Sequence, residues 1–199
     1  MSTVAVSLES RLAEELMESI QVKKRVVEQE MPTLVRIVEA ISEALRNGKK
    51  VLTFGNGGSA ADSQHIAAEL MGRFRRERRA LPAIALTTDT SILTAIGNDY
   101  GFEEVFARQV EALGQPGDVA LAISTSGNSP NVLTAVQKAR EIGMRTIGFT
   151  GQQGGRLKDA VDLCFRAPSP STPRIQEVHI TVAHAICEVI EADLSQNNA

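Results

Sequence analysis

A chain of 199 residues, 43% of them hydrophobic and with net charge −3, can fill one sizeable core but not two ordinary domains. The slightly acidic balance excludes a nucleic-acid binder working through bulk positive charge. No apolar run approaches the ~20 residues of a membrane helix, and the opening residues lack a basic-then-apolar signal pattern, so a cytoplasmic protein is expected. With no tryptophan and one tyrosine, the core must be largely aliphatic. Cys164 and Cys187 lack CxxC spacing and read as buried free thiols.

From about Leu8 to Asn47 the pattern is helical, broken at Met31-Pro32. Leu8, Leu12, Leu16 and Ile20 form one apolar stripe; Leu34, Ile37, Val38, Ile41 and Leu45 form a second, stopped by Gly48. The first stripe has no obvious core left to cover. Residues 1–48 are therefore expected to be a helical hairpin serving oligomerisation, ahead of a core over 49–199 in one overall domain. Val51–Phe54 reads as a strand, and Gly55-Asn56-Gly57-Gly58 as a turn. A helix then follows, with Ser59 as N-cap and Asp62 in a capping-box position. Ala83–Leu86 is a short strand. Ser91–Ile96 is a short helix or turn ending at Gly97-Asn98-Asp99-Tyr100-Gly101, and Phe102–Leu113 is helical. Val119–Ile123 is a strand after Pro116-Gly117-Asp118. Pro130–Ile142 is a helix stopped by Gly143, and Thr146–Thr150 is the next strand. Gly154-Gly155 interrupts before the short strand Leu163–Phe165. Pro168, Pro170 and Pro173 mark an exposed loop, and Arg174–Leu194 closes the chain as a helix. This alternation predicts an α/β three-layer sandwich with a mostly parallel five-stranded sheet, its ligand beyond the carboxyl ends of the strands.

Two loops follow strands and open helices. Ser124-Thr125-Ser126-Gly127-Asn128-Ser129-Pro130 offers four hydroxyls around a glycine, with Ser129 as N-cap and Pro130 first in the helix. A helix start is a ready anion site, and a merely capped turn needs one hydroxyl. The glycine turn at Asn56 is neither a Walker A loop nor a GxGxxG fingerprint. A small phosphorylated metabolite suits the pair of loops better than a nucleotide. His65 and Glu69 share a helical face. That pattern makes half a metal site, or a simple hydrogen-bonded pair. The run Arg73-Phe74-Arg75-Arg76-Glu77-Arg78-Arg79 reads as a solvated helix end, with Arg73, one turn beyond Glu69, facing an anionic substrate. His179 reads as a helix histidine in a packing or subunit-contact role.

Four motifs in order carry a family resemblance: GNGGSAADSQHIAAEL, the Gly97-Asn98-Asp99 stretch, ISTSGNS and RIQEVHITVAH. Together they resemble the sugar isomerase (SIS) family and, within it, the phosphoheptose isomerases, over about Met31 to Leu194. The resemblance implies the SIS fold and conversion of sedoheptulose 7-phosphate to an aldoheptose 7-phosphate, a step toward bacterial surface polysaccharide. It implies a homotetramer with sites at subunit boundaries. By position, Ser124, Thr125, Ser126 and Ser129 match the phosphate loop, and Asn56, Gly57, Gly58, Asn98 and Asp99 the sugar contacts. His65, Glu69, Gln176 and His184 match the positions of one zinc ion per subunit, with Gln176 also touching substrate. Glu69 and His184 match the acid/base pair. Pro173 departs from members with an acid there. Gln176 and His184 lie eight residues apart, roughly 12 Å along a helix, so both reach one ion only with extended side chains or an irregular helix start. A zinc-bound carboxylate is also a weaker base, so Glu69 would bind metal in the resting enzyme only, or through one oxygen.

A second reading comes from another class. LPAIAL and the ALTTDTSILTAI region resemble non-catalytic SIS adaptors that bind the bacterial replication initiator. Those relatives lack the Glu and His pair. This chain has both Glu69 and His184, which favours the enzyme.

Overall fold

The computed structural model describes residues 7–196. Helix α1 (Leu8–Gln29) opens on Ser7, whose hydroxyl accepts from the Ser10 N–H at 3.1 Å. This satisfies one of the donors that a helix start leaves free. Helix α2 (Met31–Arg46) carries Pro32 in its first turn, where a missing N–H costs nothing. The chain bends at Glu30, which is buried; burial raises its carboxyl pKa against the pull of Arg166. Ile37, Ile41 and Leu45 are buried, with Leu34 and Val38 packed against them. By contrast Leu8, Leu12, Leu16 and Ile20 are each more than half exposed, while α1 buries Val22 and Val26 instead.

The sheet comprises β1 (Val51–Gly55), β2 (Ala83–Ala85), β3 (Val119–Ile123), β4 (Arg145–Gly151) and β5 (Leu163–Ala167). Its order is β2-β1-β3-β4-β5 and every pairing is parallel. Buried Asp118 fixes the entry register of the central pair. It accepts the Lys50 N–H at 3.0 Å, the Gln115 N–H at 2.9 Å and the Lys50 ammonium at 2.6 Å. From β1 the chain passes through α3 (Gly58–Met71) to β2 on one side, and β3 then pairs on the other. Such a reversal opens a crevice at the carboxyl ends of the two central strands. Gly55 pairs with Ile123 at that end.

Alternate strand residues feed two cores. Val51, Leu121, Ile123, Ile147, Phe149 and Phe165 pack with α2, α3 and α8 (Thr172–Gln196). Leu52, Phe54, Ala120 and Ala122 pack on α5 (Ala107–Leu113) and α6 (Pro130–Ile142). The small alanines of β3 let α6 approach closely. No described helix is long and apolar enough to cross a membrane.

Several boundaries differ from the sequence expectation. The N-cap of α3 is Gly57, not Ser59. Ser59 is buried inside the helix, and the Asp62 capping box does not form, because the helix begins two residues earlier. Helix α4 (Thr90–Asp99), capped by the Asp89 carboxylate on the Ile92 N–H at 2.9 Å, runs through Gly97 and Asn98 instead of ending there. The Phe102–Leu113 segment splits into a 3-10 turn (Phe102–Glu104) and α5. A short helix α7 (Leu157–Ala160) follows the Gly154-Gly155 break. Pro173 lies within the first turn of α8, and Ser169 of the proline loop is buried. Cys187 is buried and Cys164 half-buried, and both thiols are free.

His179 ties α8 to the sheet. It is 1% exposed, with ring centroids 5.6 Å from Phe149 and 6.1 Å from Phe165. Its Nε2–H donates to the Thr150 carbonyl at 3.0 Å, and Nδ1 has no hydrogen-bond partner among the described residues. Burial pushes its pKa down to about 4, only partly opposed by the bond to Thr150. The unfolded imidazole takes up a proton near pH 6.5, so the stability tied to neutral His179 is complete above that pH. It is lost as the pH falls toward 4. The gap corresponds to about 3 kcal/mol. Urea unfolding at pH 7 and at pH 4.5 should show His179→Gln losing less stability than the parent over this interval, by roughly 2–3 kcal/mol. Equal losses would mean that the folded imidazole is charged.

Candidate active site

The glycine turn and the serine loop meet at the crevice. Asn56 and Asn131 exchange reciprocal amide bonds, each at 2.9 Å, across the ends of β1 and β3. Asn131 is 2% exposed and was not singled out by sequence reasoning. Its signal was a polar residue on the inward stripe of α6 with Val132, Ala135, Val136 and Ala139. In the serine loop, Ser124 Oγ lies 3.0 Å from Ser129 Oγ and 3.5 Å from Ser126 Oγ. Ser129 occupies the N-cap position, but its hydroxyl makes no bond to the helix start, so the first N–H groups of α6 carry no side-chain cap. Gly127 has φ 66°, and a Cβ there would strike the Gly154 carbonyl. The loop at 151–156 braces this turn through the Gly151 N–H to the Thr125 carbonyl and the Arg156 N–H to Asn128 Oδ1, both 3.0 Å. A cavity of about 330 Å3 opens beside it, lined by Thr125, Ser126, Asn128, Gln152, Ser169 and Thr172. Larger open clefts, of about 450 Å3 near Lys49 and Arg145 and about 720 Å3 along α6, lie outside this constellation.

Helix α3 carries Asp62, His65 and Glu69 on one face. His65 Nε2 lies 3.1 Å from Glu69 Oε1 and 2.8 Å from His184 Nε2 on α8. Two imidazole nitrogens this close repel through their lone pairs unless a proton or a cation lies between them. Ligand atoms of His65, Glu69 and His184 all fall within 4.8 Å of one another. Two imidazoles and a carboxylate are a donor set that catalytic zinc sites use. The Phe74 ring flanks His184 at 5.6 Å between centroids. Asp62 adds an acid one turn before His65. Its Oδ2 is buried with no hydrogen-bond partner among the described residues, and burial pushes its pKa up to about 6 against the opposing charge of His65.

Other expected residues lie differently. Gln176 packs its amide on Gly58, where a Cβ would come within 2.5 Å of its Nε2. That contact is seven residues, about 10 Å of helix axis, before His65. Asn98 and Asp99 are exposed and bond to each other at 2.8 Å, at the end of α4. No hydrogen bond among the described residues joins them to the serine loop or the histidines. Arg73 falls beyond Gly72, the C-cap of α3, so it does not continue the face of Glu69; its nearest acid is Glu77 at 3.9 Å. In the rest of the basic run Arg75 and Arg76 pair with Glu188 of α8 at 3.2 and 3.5 Å but stay exposed, as does Arg79, while the Arg78 side chain is buried.

Residues 16–151 match the SIS domain family, and the chain belongs to it. Within that class its relatives are narrower. It is 62% identical over 181 residues to a phosphoheptose isomerase of Roseiflexus sp. (strain RS-1), covering 91% of this chain and 92% of that protein. It is 59% identical over 174 residues to the phosphoheptose isomerase of Aquifex aeolicus, covering 87% and 91%. The solved phosphoheptose isomerase of Neisseria gonorrhoeae superposes with a TM-score of 0.88 at 47% identity, over 94% of this chain and all of that one.

Proposed function

We propose that this protein is an aldose–ketose isomerase converting sedoheptulose 7-phosphate to the aldoheptose 7-phosphate. The observation that carries the reading is the meeting of His65, Glu69 and His184, in a chain that also has a hydroxyl-rich helix start and is so similar to phosphoheptose isomerases. The relatives described above are isomerases by name, which leaves the non-catalytic adaptor reading without support.

Each part of the crevice has a task. The hydroxyls of Ser124, Thr125, Ser126 and Ser129 and the uncapped N–H groups of α6 bind the phosphate. Asn56, Gly57 and Gly58, with Asn98 and Asp99 approaching from α4, contact the sugar chain, and Gln176 reaches it across Gly58. Arg73, exposed beyond the end of α3, attracts the anion. Glu69 takes the proton from the carbon beside the carbonyl, and the C–H electron pair becomes the double bond of an enediol. His184 delivers a proton to the carbonyl oxygen, so no free alkoxide builds up. The reverse transfers place a proton on the former carbonyl carbon and remove the hydroxyl proton from the carbon first deprotonated, which becomes the new carbonyl. Nothing is oxidised or reduced overall.

His65, Glu69 and His184 would hold one zinc ion, and Gln176 would complete the set only with its amide moved off Gly58. When bound, it supplies polarisation of the substrate carbonyl. Residues 1–48 serve assembly into a homotetramer: the apolar stripe of α1 is uncovered, and the His65 side chain is 47% exposed, an open site for a neighbouring subunit to complete.

Glu69→Gln keeps size and hydrogen bonding but cannot take a proton. Turnover should fall by about 10²–10⁴ with the fold intact, while sugar-phosphate binding measured by calorimetry persists. Near-parental deuterium exchange from solvent into the sugar would defeat this assignment. Chelation followed by elemental analysis should remove zinc and activity together, with zinc restoring both. Metal-free protein of full activity would leave the histidines as substrate contacts. Light scattering should give about four times the 21.4 kDa chain mass. A mass near one chain would remove the assembly role of α1.

A further inference from the structure

The segment leaving α3 holds a buried ion pair that the proposed chemistry does not use. Arg78 and Glu191 side chains are 3% and 0% exposed, with Nε 3.2 Å from Oε1. Glu191 accepts three consecutive backbone N–H groups, from Phe74 at 2.8 Å, Arg75 at 2.6 Å and Arg76 at 2.8 Å. Burial would raise its pKa, yet those donors and Arg78 outweigh it and hold the carboxyl below its usual range.

The other half of the pair faces α3. Arg78 Nη2 donates to the carbonyl of Glu69 at 2.9 Å, and Nη1 to the carbonyls of Leu70 at 2.9 Å and Gly72 at 3.2 Å. The last carbonyls of a helix have no partner within it. Here one guanidinium gathers them, and its charge also suits the negative end of the helix dipole. One of those carbonyls belongs to Glu69 itself. On the other helix, Glu191 stands seven residues beyond His184, two turns along the same face of α8.

We infer that the Arg78–Glu191 pair is the positioning device of the site: it fixes the exit turn of α3 to α8 and so holds Glu69 in register with His184. Through that carbonyl the pair reaches the backbone of the proton-abstracting residue itself. Neither residue touches substrate; both act through the backbone of α3. The inference rests on Glu69 being the base, and its test separates the two.

The test uses the full chain carrying Arg78→Lys or Glu191→Gln, with Glu69→Gln in parallel. Arg78→Lys keeps the charge and loses the fork; it carries both readouts if Glu191→Gln fails to fold. Amide hydrogen exchange over residues 69–76 reads the clamp independently of chemistry. Turnover of sedoheptulose 7-phosphate, measured where thermal melts show folded protein, reads its consequence. Exchange over 69–76 should rise about tenfold while β3 and β4 keep their protection. kcat should fall roughly ten- to hundredfold, with KM and product binding changed less than about threefold. Unchanged exchange overturns the clamp. Raised exchange with parental kcat, or a loss confined to KM, overturns the positioning role. Full activity in Glu69→Gln would defeat Glu69 as base, and the exchange result would still judge the clamp.

Discussion

Helices α3 and α8 run side by side in the same direction, and the candidate site lies along their shared face. Three contacts mark the alignment: Gln176 against Gly58, His184 against His65, and Glu191 against the backbone of residues 74–76. Each step is close to two turns of α8; on the other side the first step is two turns of α3 and the second runs past its end at Met71 into the exit segment. The close end is set by glycine, since any side chain at 58 would push Gln176 away. The far end is set by charge. Loss of the parallel alignment would separate the two histidines at once, whatever happened to the sheet.

The sheet supplies the second half of the site by topology. Reversal of strand order between β1 and β3 puts the glycine turn and the serine loop at one crevice, and the Asn56–Asn131 bridge closes them together. The proposed phosphate recognition therefore rests on rigid strand ends and a helix start. The proposed proton transfer rests on a helix pair packed across one face of the same sheet. His179, locked neutral against Thr150 at the end of β4, joins the two halves.

Charges buried in this protein all do structural work on backbone groups. Asp118 sets the entry of β1 and β3, and Glu191 and Arg78 shape the exit of α3. Arg174 reaches from the start of α8 to the Glu15 carbonyl and to the Glu177 carboxylate at 3.0 Å, linking the N-terminal helix to the active-site helix. A buried charge with several fixed partners costs more when one partner is removed than the intact pair contributes. Such pairs specify arrangement more than they add stability.

Much of this was legible in the chain alone, because it depends on neighbours in sequence. Alternation of strand and helix, the Pro32 break, the Gly143 stop and the i, i+4 spacing of His65 and Glu69 are set by local sterics and periodicity. The serine loop could be read as an anion site because a proline-led helix start and clustered hydroxyls occupy adjacent residues. Local rules failed where two local signals compete or where the partner is distant in sequence. Ser59 looked like a cap, but Gly57 took the turn. Asp62 looked like a capping-box acid, but it lies half-buried, one turn before His65. Arg78 looked solvated like the rest of the basic run because its acid, Glu191, stands more than a hundred residues away. The sequence by itself determined which elements form and which residue types could bind phosphate and move protons. Only the tertiary structure decided that His184 meets His65, that Asn131 meets Asn56 and that Arg78 grips Glu69, because those pairings depend on how helices pack across a sheet, and no local spacing encodes that.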